Sequence, residues 1–253
     1  MEKDIVLLLA GFIVGAMNAI AGGGMLVGFP VLVCLGIPPL LANATGPIIT
    51  LPGQVASAIG YRGYLRRVPL RYAWLLLPSV LGAAAGAITL RHTPAGDFAH
   101  FVPLLVLFGV ALFTFQPVLH FHLHSQLTAR TKQWLPIVLI GLAVLPLSFY
   151  GGYFGAGYGF IMLAFLGLTN LQDTHMINGM KNIAATAVSA TSIICLFSAH
   201  LIQWRTGLVM AVGSVLGGYI GARGSLRVSG LWLRVGIIVI GLAAAIALGV
   251  REY

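Results

Sequence analysis

Gly151-Gly152-Tyr153-Phe154-Gly155-Ala156-Gly157-Tyr158-Gly159 interrupts an apolar stretch, and residues 174–199 follow with Asn178-Gly179-Met180-Lys181-Asn182 inside a second long apolar segment. Glycine lets the chain turn sharply and lets backbone N–H groups approach a ligand. Within a membrane, non-helical backbone is tolerated only where it is buried in protein or lines a cavity. Lys181 is the one Lys or Arg that falls well inside an apolar span. An ammonium there costs about 2.5–3.5 kcal/mol on insertion scales, so it normally faces a polar cavity and has a partner.

The rest of the chain agrees with a membrane setting. Of 253 residues 59% are hydrophobic and 8% charged, and the mean hydropathy is +0.99. A soluble domain carries roughly a quarter of its residues as charges. Continuous apolar runs argue for helices, since a β-barrel alternates in short segments. The fold class expected is therefore an all-α polytopic membrane protein. The first apolar run starts at Ile5 without a charged leader or an Ala-x-Ala site, so no cleaved signal peptide is expected. The net charge of +9 does not point to nucleic acid, because the Arg residues are spread over short loops, as the positive-inside rule requires. Cys34 and Cys195 lie in apolar runs and read as buried free thiols.

Taken in order, an apolar run at 5–20 breaks at Ala21-Gly22-Gly23-Gly24 and resumes over 25–35. Each piece is shorter than the 20 or so residues of a full span, which suggests a hairpin or a broken pair. Spans at 40–61, 72–90 and 100–119 follow, separated by a loop with Arg62, Arg66, Arg67 and Arg71 and by a loop at 91–99. From Trp134 the plan restarts: 134–150, the glycine stretch, 160–168, 174–200, 204–222 and 235–250. Ser79-Val80-Leu81-Gly82-Ala83-Ala84-Ala85-Gly86-Ala87 matches Ser214-Val215-Leu216-Gly217-Gly218-Tyr219-Ile220-Gly221-Ala222 at an offset of 135 (214 − 79), and Asn43 pairs with Asn178 at the same offset. The division expected is repeat one at 1–119, a cytoplasmic linker at 120–133 and repeat two at 134–253.

The Arg-rich loop changes place between the halves. Repeat one has four Arg at 62–71 and one at 91–99; repeat two has one at 200–205 and three at 223–234. The bias swaps, so the repeats are expected to be inverted, with the N-terminus outside and the linker inside. Reading 5–37 as one kinked span would instead make the halves parallel, leaving that swap unexplained. Duplicated glycine-broken segments mark secondary transporters and point at the binding site.

The candidate substrate-binding residues are Gly22, Gly23, Gly24, Gly155 and Gly157 in the breaks, with Asn43, Thr45, Asn178, Lys181 and Asn182. Spacings of three and four put Asn178 on one helix face with Lys181 and Asn182, a donor-rich surface suited to an oxyanion. Gly46 stands at the place of Lys181 in repeat one, so one cation implies one anionic group. Thr45 and Asn43 could equally cap their helix. Gly82/Gly86 and Gly217/Gly221 read as helix packing. Asp173 and His175 could carry a coupling proton, although Asp173 reads first as an N-cap. His120, His122 and His124 alternate in a spacing that fits an extended strand rather than a helical pair, so no metal site is expected there. No His-Glu-x-x-His, Gly-x-Ser-x-Gly or P-loop pattern occurs, so no catalytic residue, enzyme activity or cofactor is expected.

These segments together resemble the TauE/SafE family of sulfite and sulfonate exporters over nearly the full length. The resemblance rests on Asn18-Ala19-Ile20-Ala21-Gly22-Gly23-Gly24, Leu35-Gly36-Ile37-Pro38-Pro39, Asn43-Ala44-Thr45 and Tyr61-Arg62, then on 151–157, 178–182 and 217–222. Many members open the penultimate span with an aromatic–acidic pair; Trp204-Arg205 stands here, so no acidic proton coupler is expected at that place. The resemblance implies a secondary transporter moving a small sulfur-containing anion, such as sulfite, sulfoacetate or another sulfonate, across the bacterial inner membrane; it does not itself settle the direction, and export is the direction expected. An anion channel, a carrier of an unrelated small carboxylate, and uptake of thiosulfate or sulfate are the alternatives. The partners expected are that anion, a coupling proton or ion, membrane lipid and a second copy in a homodimer.

Overall fold

Glycine and proline set most of the element boundaries. In the computed structural model, residues 2–126, 137–167, 169, 171 and 173–224 are described. These are helical, with no strand among the described residues. The first half runs α1 (Glu2–Ile20), α2 (Met25–Cys34), α3 (Pro39–Gly60), α4 (Leu76–His92) and α5 (Ala95–Gln126). The second half runs α6 (Ile137–Tyr153), α7 (Tyr158–Gly167), α8 (Thr174–Leu196) and α9 (Trp204–Gly224). Short helical turns at Arg62–Leu65 and Leu70–Leu75 fill the Arg-rich loop.

Both glycine breaks use the same helix ending. The N–H groups of Ala21 and Gly22 both donate to Met17 O, and those of Phe154 and Gly155 both donate to Tyr150 O. Gly22 (φ +102°) and Gly155 (φ +74°) take the left-handed conformation that such an ending favours. The chain then re-enters a helix within a few residues, as α2 and as α7.

The glycine repeats at 82/86 and 217/221 serve packing. A Cβ on Gly82 or Gly86 would run into the backbone of α6 at Leu145 and Phe149, and one on Gly217 or Gly221 into α1 at Phe12 and Ala16. Small residues thus let α4 lie directly on α6, and α9 on α1. Contacts at the helix ends give the directions. Arg205 pairs with Asp4 at 3.6 Å, Arg91 donates to Ser198 at 3.2 Å, and Phe197 meets Trp204 with ring centroids 5.7 Å apart. One face therefore holds the starts of α1 and α9 and the ends of α4 and α8. On the other, His175 at the start of α8 packs against Tyr61 and Tyr64 after the end of α3, and Trp74 before α4 lies on Gly141 near the start of α6. Hence α1 and α9 run one way and α4 and α6 the other.

Among the described residues, three helical stretches, Glu2–Ile20, Leu70–His92 and Thr174–Ala199, are long and apolar enough to cross a membrane. Large side chains such as Leu9, Leu104, Leu142, Ile194, Leu208 and Val212 are exposed on the outer surface. So much exposed apolar surface suits lipid rather than water. This is a membrane protein.

Some boundaries differ from the sequence reading. The loop expected at 91–99 is shorter, because α5 starts at Ala95 directly after Pro94; proline disfavours the helical region only for the residue before it. α5 also continues to Gln126, so the part of the expected linker holding His120, His122 and His124 has a helical backbone, not an extended one. The alternation covers only His120 to His124, and the long helix that precedes it carries through. The rest of the linker and the expected span at 235–250 lie outside the described residues. Cys34 and Cys195 are free, but Cys34 is exposed and Cys195 half-buried, Cys34 because it falls on the last turn of α2.

Candidate functional site

The two glycine breaks touch. A Cβ on Gly22 would stand 2.6 Å from the backbone of Gly159, and one on Gly159 would stand 2.5 Å from that of Gly22. A cavity of ≈ 50 Å³ opens beside this crossing, lined by both breaks and by the polar faces of α3 and α8. A cavity needs about 10–15 Å³ to hold one water, so this one exceeds that minimum several-fold.

Lys181 is 1% exposed and lies on the cavity wall. Its Nζ donates to Asn18 O at 2.8 Å, Ala19 O at 3.4 Å and Asn178 Oδ1 at 3.0 Å. An ammonium has three N–H donors, so this set occupies them all. Two of the acceptors are among the last carbonyls of α1, which lack partners within their own helix. Lys181 therefore caps a helix C-terminus, where the macrodipole favours a cation.

A similar cap crosses the other way. Asn43 Nδ2 donates to Tyr153 O at 2.8 Å, at the end of α6. Polar groups on α3 and α8 thus hold the ends of α6 and α1, respectively. Asn18 adds a clip across its own break, its Oδ1 accepting from Gly24 N at 2.8 Å. The start of α2 and the start of α7 both border the cavity, through Met25 and Tyr158. Each helix start presents about half a positive charge.

Among the sequence-derived candidates, Gly22, Asn43, Gly155, Lys181 and Asn182 line the cavity. Asn178 stands one step behind, holding Lys181. Gly23 packs against the Phe160 ring and Gly24 against α1 at Val14, while Gly157 (φ +91°) approaches Gly109 of α5; these three shape the breaks without lining the cavity. Thr45 is fully buried elsewhere: its hydroxyl donates to Leu41 O at 2.6 Å and accepts from Gln203 N at 3.0 Å. It ties α3 to the chain entering α9.

Asp173 caps α8, its Oδ1 accepting from His175 N at 2.8 Å. It borders a separate surface cleft with Arg67 and Arg71. Asp173→Ala is expected to cost about 1 kcal/mol, as N-cap losses do, and to leave any stabilisation by anions unchanged. Thermal melts of the two proteins with and without ligand check this; loss of the ligand effect would return Asp173 to a coupling role.

Sequence reading missed Asn18, Thr50, Gln54, Ser189 and Ser192, all of which line the cavity. Ser189 Oγ donates to Gln54 Oε1 at 3.0 Å and sits 3.3 Å from Thr50 Oγ1. The signal was available: Asn43, Gly46, Thr50 and Gln54 recur at helical spacing on α3, as do Asn182, Ser189 and Ser192 on α8.

A family model described as "Sulfite exporter TauE/SafE" matches residues 7–248. A "Probable membrane transporter protein" of Haemophilus influenzae is 33% identical, over 86% of this chain and 83% of its own. "Probable membrane transporter protein ORF9" of Sinorhizobium sp is 29% identical, over 96% of this chain and 90% of its own. "Probable membrane transporter protein YfcA" of Escherichia coli K12 is 30% identical, over 86% of this chain and 77% of its own. No solved structure is significantly similar.

Proposed function

The chain belongs to the TauE/SafE sulfite-exporter family of membrane transporters, and from that premise we propose that it moves a small sulfur-containing anion across the bacterial inner membrane as a multi-pass secondary transporter. The observation that carries this reading is the central cavity, which joins one buried lysine and two helix starts at the meeting point of two glycine breaks. Helix N-termini and a cation favour an anion. Lys181 supplies net charge, while the amides of Asn43 and Gln54 and the backbone of the breaks orient the bound group.

We propose further that the two halves are inverted repeats working by alternating access. Three observations support this. α4 and α9, which carry the matched glycine segments, run in opposite directions. Gln54 and Ser189, 135 positions apart, hydrogen-bond to each other, as residues near a pseudo-twofold axis would. The cross-caps from Asn43 to Tyr153 and from Lys181 to Asn18 join corresponding helices in both halves, α3 to the end of α6 and α8 to the end of α1. With Arg62, Arg66, Arg67, Arg71 and Arg223 on one face, that face is the cytoplasmic one in this reading. Toward it the site is sealed by Lys181 and by Tyr61, whose hydroxyl shares Ala19 O at 3.3 Å, backed by Tyr64 and His175. His175 in this seal is the candidate coupling group. The cavity wall reaches the opposite way, to Leu90 and Leu196. Rocking one repeat against the other would open the seal and close that path.

The test is thermal stabilisation of the purified protein by sulfite, sulfoacetate, taurine, thiosulfate, sulfate and lactate. A ligand at 100 times its Kd adds about 2.7 kcal/mol. Stabilisation by sulfite or another compact sulfur oxyanion, and not by lactate, is expected. Stabilisation by lactate alone would replace the substrate class with a carboxylate.

A further inference from the structure

Arg62, Arg66, Arg67 and Arg71 crowd the segment between α3 and α4, and all four are exposed. Two of them, Arg67 and Arg71, line a surface cleft of ≈ 380 Å³ against the start of α8. Among the described residues neither guanidinium has an ion-pair or hydrogen-bond partner. Arg71 lies over the Tyr72 ring, 5.5 Å from its centroid. The cleft also holds one carboxylate, Asp173, which already accepts from His175 N. Two guanidiniums to one carboxylate leave it a net positive charge. Much of the remaining wall is apolar, with Pro69, Leu171 and Met176.

Leu70 stands between the two arginines and is 91% exposed. The turn it opens leads through Trp74 into α4 at Leu77, and both of these are exposed as well. A leucine so bare, next to cations at i−3 and i+1 and followed by a tryptophan, fits a segment lying at the lipid surface. Its apolar groups then enter the acyl layer while the guanidiniums stay among the headgroups. The cleft beside it therefore opens at headgroup depth. A free inorganic anion would use the arginines and leave the apolar wall in water. A phospholipid uses both, because arginine pairs with phosphate in a bidentate fork while the glycerol and first acyl carbons cover the wall.

We infer that this cleft binds an anionic phospholipid of the leaflet on its own face, with one phosphodiester held between Arg67 and Arg71 and the glycerol backbone against Leu171 and Met176. The single negative charge of such a lipid balances the net charge of the cleft. One wall is the first turn of α8, the helix that carries Lys181; the other belongs to the segment that supplies Tyr64 to the seal. A lipid seated there fastens the two together and favours the state closed toward this face. Neither the central cavity nor its anion enters this argument, so failure here leaves the transport reading standing.

The full-length protein in an uncharged detergent is titrated with short-chain phosphatidylglycerol, with phosphatidylcholine of the same chain length and with inorganic phosphate, and its melting temperature is read. Phosphatidylglycerol is expected to bind roughly ten- to thirty-fold more tightly than phosphatidylcholine, the range that two arginines at a membrane surface contribute. Arg67→Gln with Arg71→Gln removes that preference. Arg62→Gln with Arg66→Gln takes the same charge from the same segment outside the cleft and keeps the preference. If the first pair does not fold, each exchange made singly reads part of the loss. Equal loss in both double variants assigns the effect to diffuse surface charge and overturns the site. Inorganic phosphate that stabilises as strongly as phosphatidylglycerol overturns the lipid as occupant. Equal binding of the two lipids, or of neither, overturns the inference outright.

Discussion

Lys181→Met is expected to remove anion-dependent stabilisation and transport while leaving a protein that folds. Two opposing terms set the folding side. Asn178 Oδ1 and Asn18 O lose their donor, and each buried acceptor left unsatisfied costs about 1–3 kcal/mol. Ala19 O keeps the Tyr61 hydroxyl. Against this, an ammonium no longer has to be held at membrane depth, which relieves about 2.5–3.5 kcal/mol. Methionine has similar length and fills the space. The two sums nearly cancel, so the melting temperature without ligand shifts by only a few degrees. The binding side has no such compensation. A unit charge about 4 Å from an anion, at an effective dielectric constant of about 20, contributes about 4 kcal/mol, near a thousand-fold in affinity. Melts of wild type and variant with and without sulfite read both terms in one experiment. A folded Lys181→Met protein that sulfite still stabilises fully would take Lys181 out of the site.

That separation depends on a double role which the sequence showed only in part. A lone lysine in an apolar span announces that something polar faces it, and Asn178 at i−3 is visible as a partner. The carbonyls of Asn18 and Ala19 are not visible, because they lie more than 160 residues away; meetings of that kind depend on how two halves cross. Helix boundaries were legible wherever glycine or proline punctuated them, as at 21–24, 36–39 and 151–157. They were misjudged where composition alone was the guide, as at 91–99 and through the histidines at 120–124. The same distinction explains the cavity lining. Asn43 and Asn182 stood out by belonging to conspicuous motifs, whereas Thr50, Gln54 and Ser189 are single polar residues in long apolar helices, individually compatible with hydrogen bonding to their own backbone. Thr45 shows the converse. It sits in a motif, yet its hydroxyl serves Leu41 and Gln203.

The second large effect is expected at the crossing of the breaks, where Gly22→Ala should fail to give a stable protein. Gly22 has φ +102°, a region that side chains rarely adopt; holding a non-glycine residue there costs about 1–3 kcal/mol. Its new Cβ would also stand 2.6 Å from Cα and C of Gly159. Backbone is on the receiving side, so no side chain can swing away, and overpacking of this kind adds about 1–3 kcal/mol more. Together the terms approach a large part of the 5–15 kcal/mol that holds a typical domain folded. Gly36→Ala isolates the first term. Gly36 has φ +89°, and nothing lies within 4 Å of the added atom, so only the conformational cost of about 1–3 kcal/mol applies. Yield of folded protein and melting temperature for the two variants compare strain alone with strain plus contact. If Gly22→Ala melts no lower than Gly36→Ala, the breaks do not touch as described. The cavity would then have a different wall, because the contact between Gly22 and Gly159 sets how near Lys181 of one half stands to the end of α1 in the other.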